Sequence, residues 1–168
     1  INRQADITWT DDGRVLFLGE RHGEGYLYEA RIDGSGVNTI WGGSLQASSL
    51  TMDQSTKRTV TVASSPGSIS DLYQVDTESR VASQISDHNA DFLKDHPPAR
   101  LEKFSFDRAG FSVECRLLLP PDFDESKRYP LVLDIHGGPN GAFYDSFVPV
   151  QQVLATSGKL VLAVNPRG

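Results

Sequence analysis

Cysteine is almost missing: Cys115 is the single one among 168 residues. One thiol cannot close an internal disulfide, so cysteine usage leaves the redox compartment undecided. Positive charge is also short, with 16 Lys and Arg against 22 Asp and Glu and a net charge of -6. Nothing concentrates enough cations to displace counterions from phosphates, which excludes a nucleic-acid partner. No apolar run approaches the roughly 20 residues that cross a bilayer, and no signal-peptide pattern opens the chain. These absences point to a soluble chain with no membrane partner; the compartment stays unknown, with the cytoplasm favoured over secretion. The histidines, at 22, 88, 96 and 136, show no metal-ligand spacing such as H-E-x-x-H, and neither a Walker loop nor G-x-G-x-x-G follows a strand. The expectation is no metal and no cofactor. Also missing is any G-x-S-x-G. Ser35 lies between Gly34 and Gly36 with the wrong spacing, and Ser44 follows two glycines without the later one. The chain opens at Ile1 rather than Met and closes at Gly168 straight after a strand-like run, so it reads as a piece of a longer polypeptide.

What is present begins with a hydrophobic share of 38% against 23% charged, enough for a packed core. In "ITWTDDGRVLFLGERHGEGYLYEARIDGSGVNTIW", residues 7 to 41, Asp12-Gly13, Gly23 to Gly25 and "DGSG" mark turns. Val15 to Leu18 suit a strand buried on both faces. After it, Tyr26, Tyr28, Ala30 and Ile32 alternate with Leu27, Glu29 and Arg31. Residues 50 to 85 repeat the plan: Leu72-Tyr73 echoes Leu27-Tyr28, and Val75-Asp76 echoes Ile32-Asp33. The offset of roughly 43 to 45 residues is the period of four-stranded propeller blades. An ordinary antiparallel meander is the alternative. Two blades cannot close a propeller.

The repeat is lost from residue 88 onward, and Pro97-Pro98 marks a passage between domains. "KFSFD" and "FSVECRLLLPP" read as a hairpin, with Phe111, Val113, Cys115, Leu117 and Leu119 on one face; Cys115 is then a core residue rather than a nucleophile. "LVLDI" (131–135) is an apolar strand suited to burial on both faces. "FVPVQQVLATSG" puts Phe147, Val150, Val153 and Leu154 at helical spacing and stops at Gly158, and "LVLAVN" (160–165) is a further buried strand. Strand, helix, strand predicts a βαβ unit with a parallel pair. Ligands of such sheets bind beyond the carboxyl ends of the strands, where "HGGPNG" and "NPRG" fall.

A Gly-Gly pair after a strand can turn backbone N–H groups toward a developing oxyanion, the job of HGGG-type loops in lipases and esterases. A Gly-Pro turn that merely ends the strand is the alternative. His136 has no nucleophile to serve as a base, so it reads as a ring that fixes the loop.

On "PPDFDESKRYPLVLDIHGGPNGAFYDSF", "GKLVLAVNPRG" and the blade-like "WTDDGRVLF", "LYEARIDGSG" and "SDLYQVD", the sequence resembles the prolyl oligopeptidase family of serine peptidases, in its acylaminoacyl-peptidase and dipeptidyl-peptidase-like branch. The resemblance implies a mixed fold: β-propeller blades (all-β) over residues 1–90, then a linker and the N-terminal part of an α/β-hydrolase domain over 91–168. It implies that Gly137 and Gly138 form the oxyanion loop, with Gly138 the better donor, and that Ser, Asp and His of the triad all lie beyond Gly168. In some branches a tyrosine stands where His136 stands here, and that hydroxyl donor is absent. A short peptide is the implied substrate of the parent protein. The chain alone is expected to be inactive and to form oligomers through open sheet edges. An esterase or amidase of the same fold, and a non-catalytic β-rich binding or scaffold module, are the competing functions.

Overall fold

Turn-forming residues divide the first half into eight strands, which the computed structural model, describing residues 7–138 and 141–166, arranges in two sheets. β1 (Ile7–Trp9), β2 (Arg14–Arg21), β3 (Glu24–Arg31) and β4 (Val37–Gly43) pair antiparallel in sequence order. β5 (Gln46–Asp53), β6 (Arg58–Ser65), β7 (Ser68–Asp76) and β8 (Val81–Gln84) do the same. The Leu-Tyr pairs of the repeat both fall on the third strand of their sheet. Leu16, Leu18, Leu27 and Ile40 of the first sheet pack with Leu50 and Val75 of the second, and the Trp41 and Tyr73 rings meet at 5.4 Å. Leu16, Leu27 and Val75 are wholly out of water, so truncating Leu27 to alanine costs about 2–5 kcal/mol. β2 is not buried on both faces as expected. Successive side chains point to opposite faces; Leu16 and Leu18 meet the second sheet, whereas Val15 and Phe17 stay half-buried, with Phe17 stacked on Tyr28.

Between the two halves the chain makes one short helix, α1 (Ala90–Asp95), before Pro97-Pro98. β9 (Arg100–Arg108) and β10 (Phe111–Leu119) form the expected hairpin across Ala109-Gly110. β11 (Leu131–Asp134), α2 (Pro149–Thr156) and β12 (Leu160–Asn165) follow. The sheet order is β11-β12-β10-β9, with β11 parallel and β10 antiparallel to β12. The strand, helix, strand unit is therefore present with its parallel pair. No helix among the described residues is long and apolar enough to cross a membrane.

Three burial expectations fail here. Among the described residues β11 stands at the sheet edge, hydrogen-bonded to β12 alone, and Leu131 and Leu133 are each 56% exposed. In α2 the buried side chains are Gln151, Gln152 and Ala155, while Val150 and Val153 are 60% and 67% exposed. Polar contacts orient that helix: Gln152 accepts from the Ala99 N–H (2.8 Å) and donates to the Pro66 carbonyl (2.9 Å), and Gln151 donates to Asp134 (2.8 Å). In β10, both faces are buried near the C-terminal end. Cys115 and Leu119 lie on the expected face, but Leu118 joins Ala99, Ala155 and Val161 in a core on the other, and Arg116 is buried by ion pairing.

Candidate active-site loop

The carboxyl ends of β11 and β12 lie side by side, because the strands are parallel neighbours with Asp134 opposite Ala163. The loop after β11 therefore stands beside the end of β12. Asn165 joins them: its Oδ1 accepts the Phe143 N–H (2.7 Å) and its Nδ2 donates to the Phe143 carbonyl (3.0 Å). The Phe143 ring meets His136 edge-on, with centroids 5.5 Å apart. His136 Nδ1 lies 2.9 Å from the Gly137 carbonyl oxygen. A carbonyl only accepts, so this contact keeps a proton on Nδ1 and the ring holds the loop backbone.

Gly137 and Gly138 are exposed, and a Cβ built on either meets nothing within 4 Å among the described residues. Neither has a left-handed φ, so their own chain would accept a methyl group. The tight glycine of the loop is Gly141. A Cβ there would fall on the Gly137 carbonyl and the His136 ring, nearer than real Cβ atoms come. Pro139 and Asn140 of "HGGPNG", and Arg167 and Gly168 of "NPRG", lie outside the described residues.

Beyond the loop a cluster of charges meets the first sheet. Asp145 is fully buried; its carboxylate takes Lys103 Nζ (2.8 Å) and Arg116 Nε (3.2 Å), and its N–H donates to the Gly23 carbonyl (2.7 Å). Arg116 also donates to the His22 carbonyl (3.0 Å). Its guanidinium fills the space that a Gly23 side chain would need, so the β2–β3 turn requires glycine there for contact as well as for its φ of 72°. Lys103 donates in turn to Glu24 (2.8 Å), and His22 pairs with Glu114 (2.7 Å). Hydrogen bonds from Lys103 and Tyr26 bring the Glu24 carboxyl down to about 2. Burial alone would lower the Lys103 ammonium, but its bonds to Asp145 and Glu24 outweigh that and raise it.

No family model matches the chain. Among curated proteins, dipeptidyl-peptidase 5 of Aspergillus fumigatus is 30% identical over 171 residues, covering 96% of this chain and 23% of that protein. Dipeptidyl-peptidase 5 of Trichophyton schoenleinii is 32% identical over 172 residues, with the same shares of 96% and 23%. A Bacillus subtilis protein named uncharacterized peptidase YuxL is 26% identical over 171 residues, with shares of 95% and 24%. The chain thus spans about a quarter of the length of the relatives it matches. The solved structure of Pyrococcus horikoshii acylaminoacyl peptidase superposes at a TM-score of 0.82 and 23% identity, over 97% of this chain and 25% of that one.

The chain is similar to part of proteins named as dipeptidyl-peptidases and as an acylaminoacyl peptidase, in line with its resemblance to the prolyl oligopeptidase family.

Within that family likeness, the two four-stranded sheets match the β-propeller region of acylaminoacyl peptidase. Ser35 and Ser44 sit in turns: the Ser35 N–H donates to Asp33 (2.9 Å) and Ser44 Oγ donates to Glu24 (3.3 Å). Cys115 is buried, and burial pushes its thiol up, which disfavours the nucleophilic thiolate. Sequence reasoning missed Gly23, Lys103, Arg116, Gly141, Asp145 and Asn165. For Asn165 a signal existed, a polar residue ending an apolar strand. Asp145 and Arg116 gave none, since their partners are distant in the chain.

Proposed function

We propose that the chain is the part of a serine peptidase in which propeller blades, residues 1–90, pass into the opening strands of an α/β-hydrolase domain, residues 91–168. The carrying observation is the junction of the His136–Gly138 loop with the end of β12 through Asn165 and Phe143, at the carboxyl ends of a parallel strand pair. That is where open parallel sheets bind ligands, and relatives named as peptidases align along 96% of the chain. The substrate class is short peptides, with the propeller restricting access.

Catalysis then follows acyl transfer. A serine Oγ from elsewhere in the polypeptide attacks the scissile carbonyl as a histidine takes its proton, and the carbonyl π electrons move onto oxygen. Gly138 gives its N–H to that oxyanion. Collapse breaks the C–N bond, the histidine returns the proton to the leaving amine, and water releases the acyl group by the same steps. The 168 residues alone lack the nucleophile and are inactive.

Variants of the full-length protein test the loop. Gly138→Pro removes the donor and is expected to lower kcat about 100- to 1000-fold, the effect of losing one such donor. Gly138→Ala keeps the N–H, meets nothing within 4 Å among the described residues, and should be far milder. Gly141→Ala should be worse than Gly138→Ala, because it forces the Gly137 carbonyl away. His136→Gln should cost less than Gly138→Pro. A folded Gly138→Pro enzyme with the parent kcat, or a fluorophosphonate label on a serine within residues 1–168, refutes the proposal.

A further inference from the structure

Residues 141–148 have no helix or strand, so no backbone ladder holds the segment behind the 137–138 loop. Side chains fasten it at two points instead. Asn165 grips both backbone groups of Phe143. Two residues on, Asp145 is held by Arg116, by Lys103 and, through its N–H, by the Gly23 carbonyl. Arg116 and Lys103 in turn hold His22 and Glu24, which flank Gly23 in the β2–β3 turn. From Phe143 the contact passes to the His136 ring and on to the Gly137 carbonyl.

We propose that Asp145 and Asn165 are positioning residues for the oxyanion loop, and that the β2–β3 turn of the first blade sets where the loop stands. The inference rests on the reading of Gly138 as an oxyanion donor. Its physical basis is that a buried carboxylate between two cations and an amide cannot shift without leaving a charge unpaired. The turn that supplies the His22 and Gly23 carbonyls therefore fixes Asp145, and Asp145 with Asn165 leaves residues 143–145 little freedom. An oxyanion donor works only when placed to hydrogen-bond distance, and a misplacement of about 1 Å can cost about 100-fold in rate.

The test uses the full-length protein with Asn165→Ala, Asp145→Asn, Gly23→Ala and, in parallel, Gly138→Pro. The first three are expected to lower kcat about 10- to 100-fold while KM stays within about 2-fold. Affinity for a peptidyl boronate, which mimics the tetrahedral oxyanion, should fall with kcat, while affinity for a product peptide holds. Gly23→Ala should act the same way although it lies in a propeller blade. Should Asp145→Asn fail to fold, Asn165→Ala decides, because it leaves every buried charge paired. A folded Asn165→Ala enzyme with the parent kcat, or equal losses of boronate and product affinity, overturns the inference. If Gly138→Pro abolishes turnover in that same experiment, only the positioning role falls. If Gly138→Pro keeps the parent kcat, the oxyanion reading falls and takes this inference with it.

Discussion

Replacing Gln152 with methionine removes two hydrogen bonds while keeping the length and flexibility of the side chain. The Ala99 N–H, buried just before β9, then has no acceptor, which costs about 1–3 kcal/mol. The bond to the half-buried Pro66 carbonyl contributes a further net amount of about 0.5–1.5 kcal/mol. The apolar burial of methionine offsets about 1 kcal/mol of this sum. The expected net loss is about 2 kcal/mol, or about 1 M in the urea midpoint at a typical slope. Val153→Ala is the control. Val153 is 67% exposed, so its truncation should change stability by no more than about 0.5 kcal/mol. Equilibrium urea unfolding of the 168-residue chain at micromolar concentration measures both, and hydrogen exchange at the Ala99 amide reports the lost acceptor directly. The opposite ordering, with Val153→Ala costing more than about 1 kcal/mol and Gln152→Met none, would show that α2 packs by its apolar face and that this description of it is wrong.

Acid should loosen the contact between the first sheet and β9. The Glu24 carboxyl lies at about 2 in the folded chain against an ordinary 4.5, so its contribution is complete above about pH 5 and is lost as pH falls toward 2. Glu24→Gln should remove about 1 kcal/mol of that pH dependence, read from urea midpoints between pH 6 and 2.5, and identical profiles for parent and variant would sink the assignment. The open edge of β11, with Leu131 and Leu133 exposed, should drive self-association of the 168-residue chain. Leu133→Lys should weaken it in sedimentation; a parent chain that runs as a compact monomer at all concentrations contradicts this.

The two four-stranded sheets were legible because their rules are local. Asp12-Gly13 and the Leu-Tyr pairs report turn and face within a few residues, and two copies at one spacing reinforce each other. The parallel pair was legible for a similar reason, an apolar strand on each side of a helix stopped by Gly158. Burial was not, because it depends on what covers a face. "LVLD" has the composition of a central strand yet stands at an edge, and the valines of α2 face outward because Gln151 and Gln152 find partners on the other side. Of the loop, Gly137 and Gly138 could be named from their type and place. Gly141 could not, since its constraint is a carbonyl brought back by the turn. The Asp145 cluster draws on β3, β9 and β10, and no window of sequence contains it.

The place of β12 in its sheet bears on how the chain leaves the ribosome. Among the described residues β12 follows β10 and β11 in chain order, yet it sits between them and is the strand to which β11 is hydrogen-bonded. The blade core, from Leu16 to Val75, can close early, because every residue in it is already outside the exit tunnel. The β9–β10 hairpin can follow without help. β11 cannot. Its backbone groups wait, with Leu131 and Leu133 in water, until residues 160–165 emerge and slide in beside it. During that interval β11 is open to mispairing, and a holdase that covers short apolar strands can shield it.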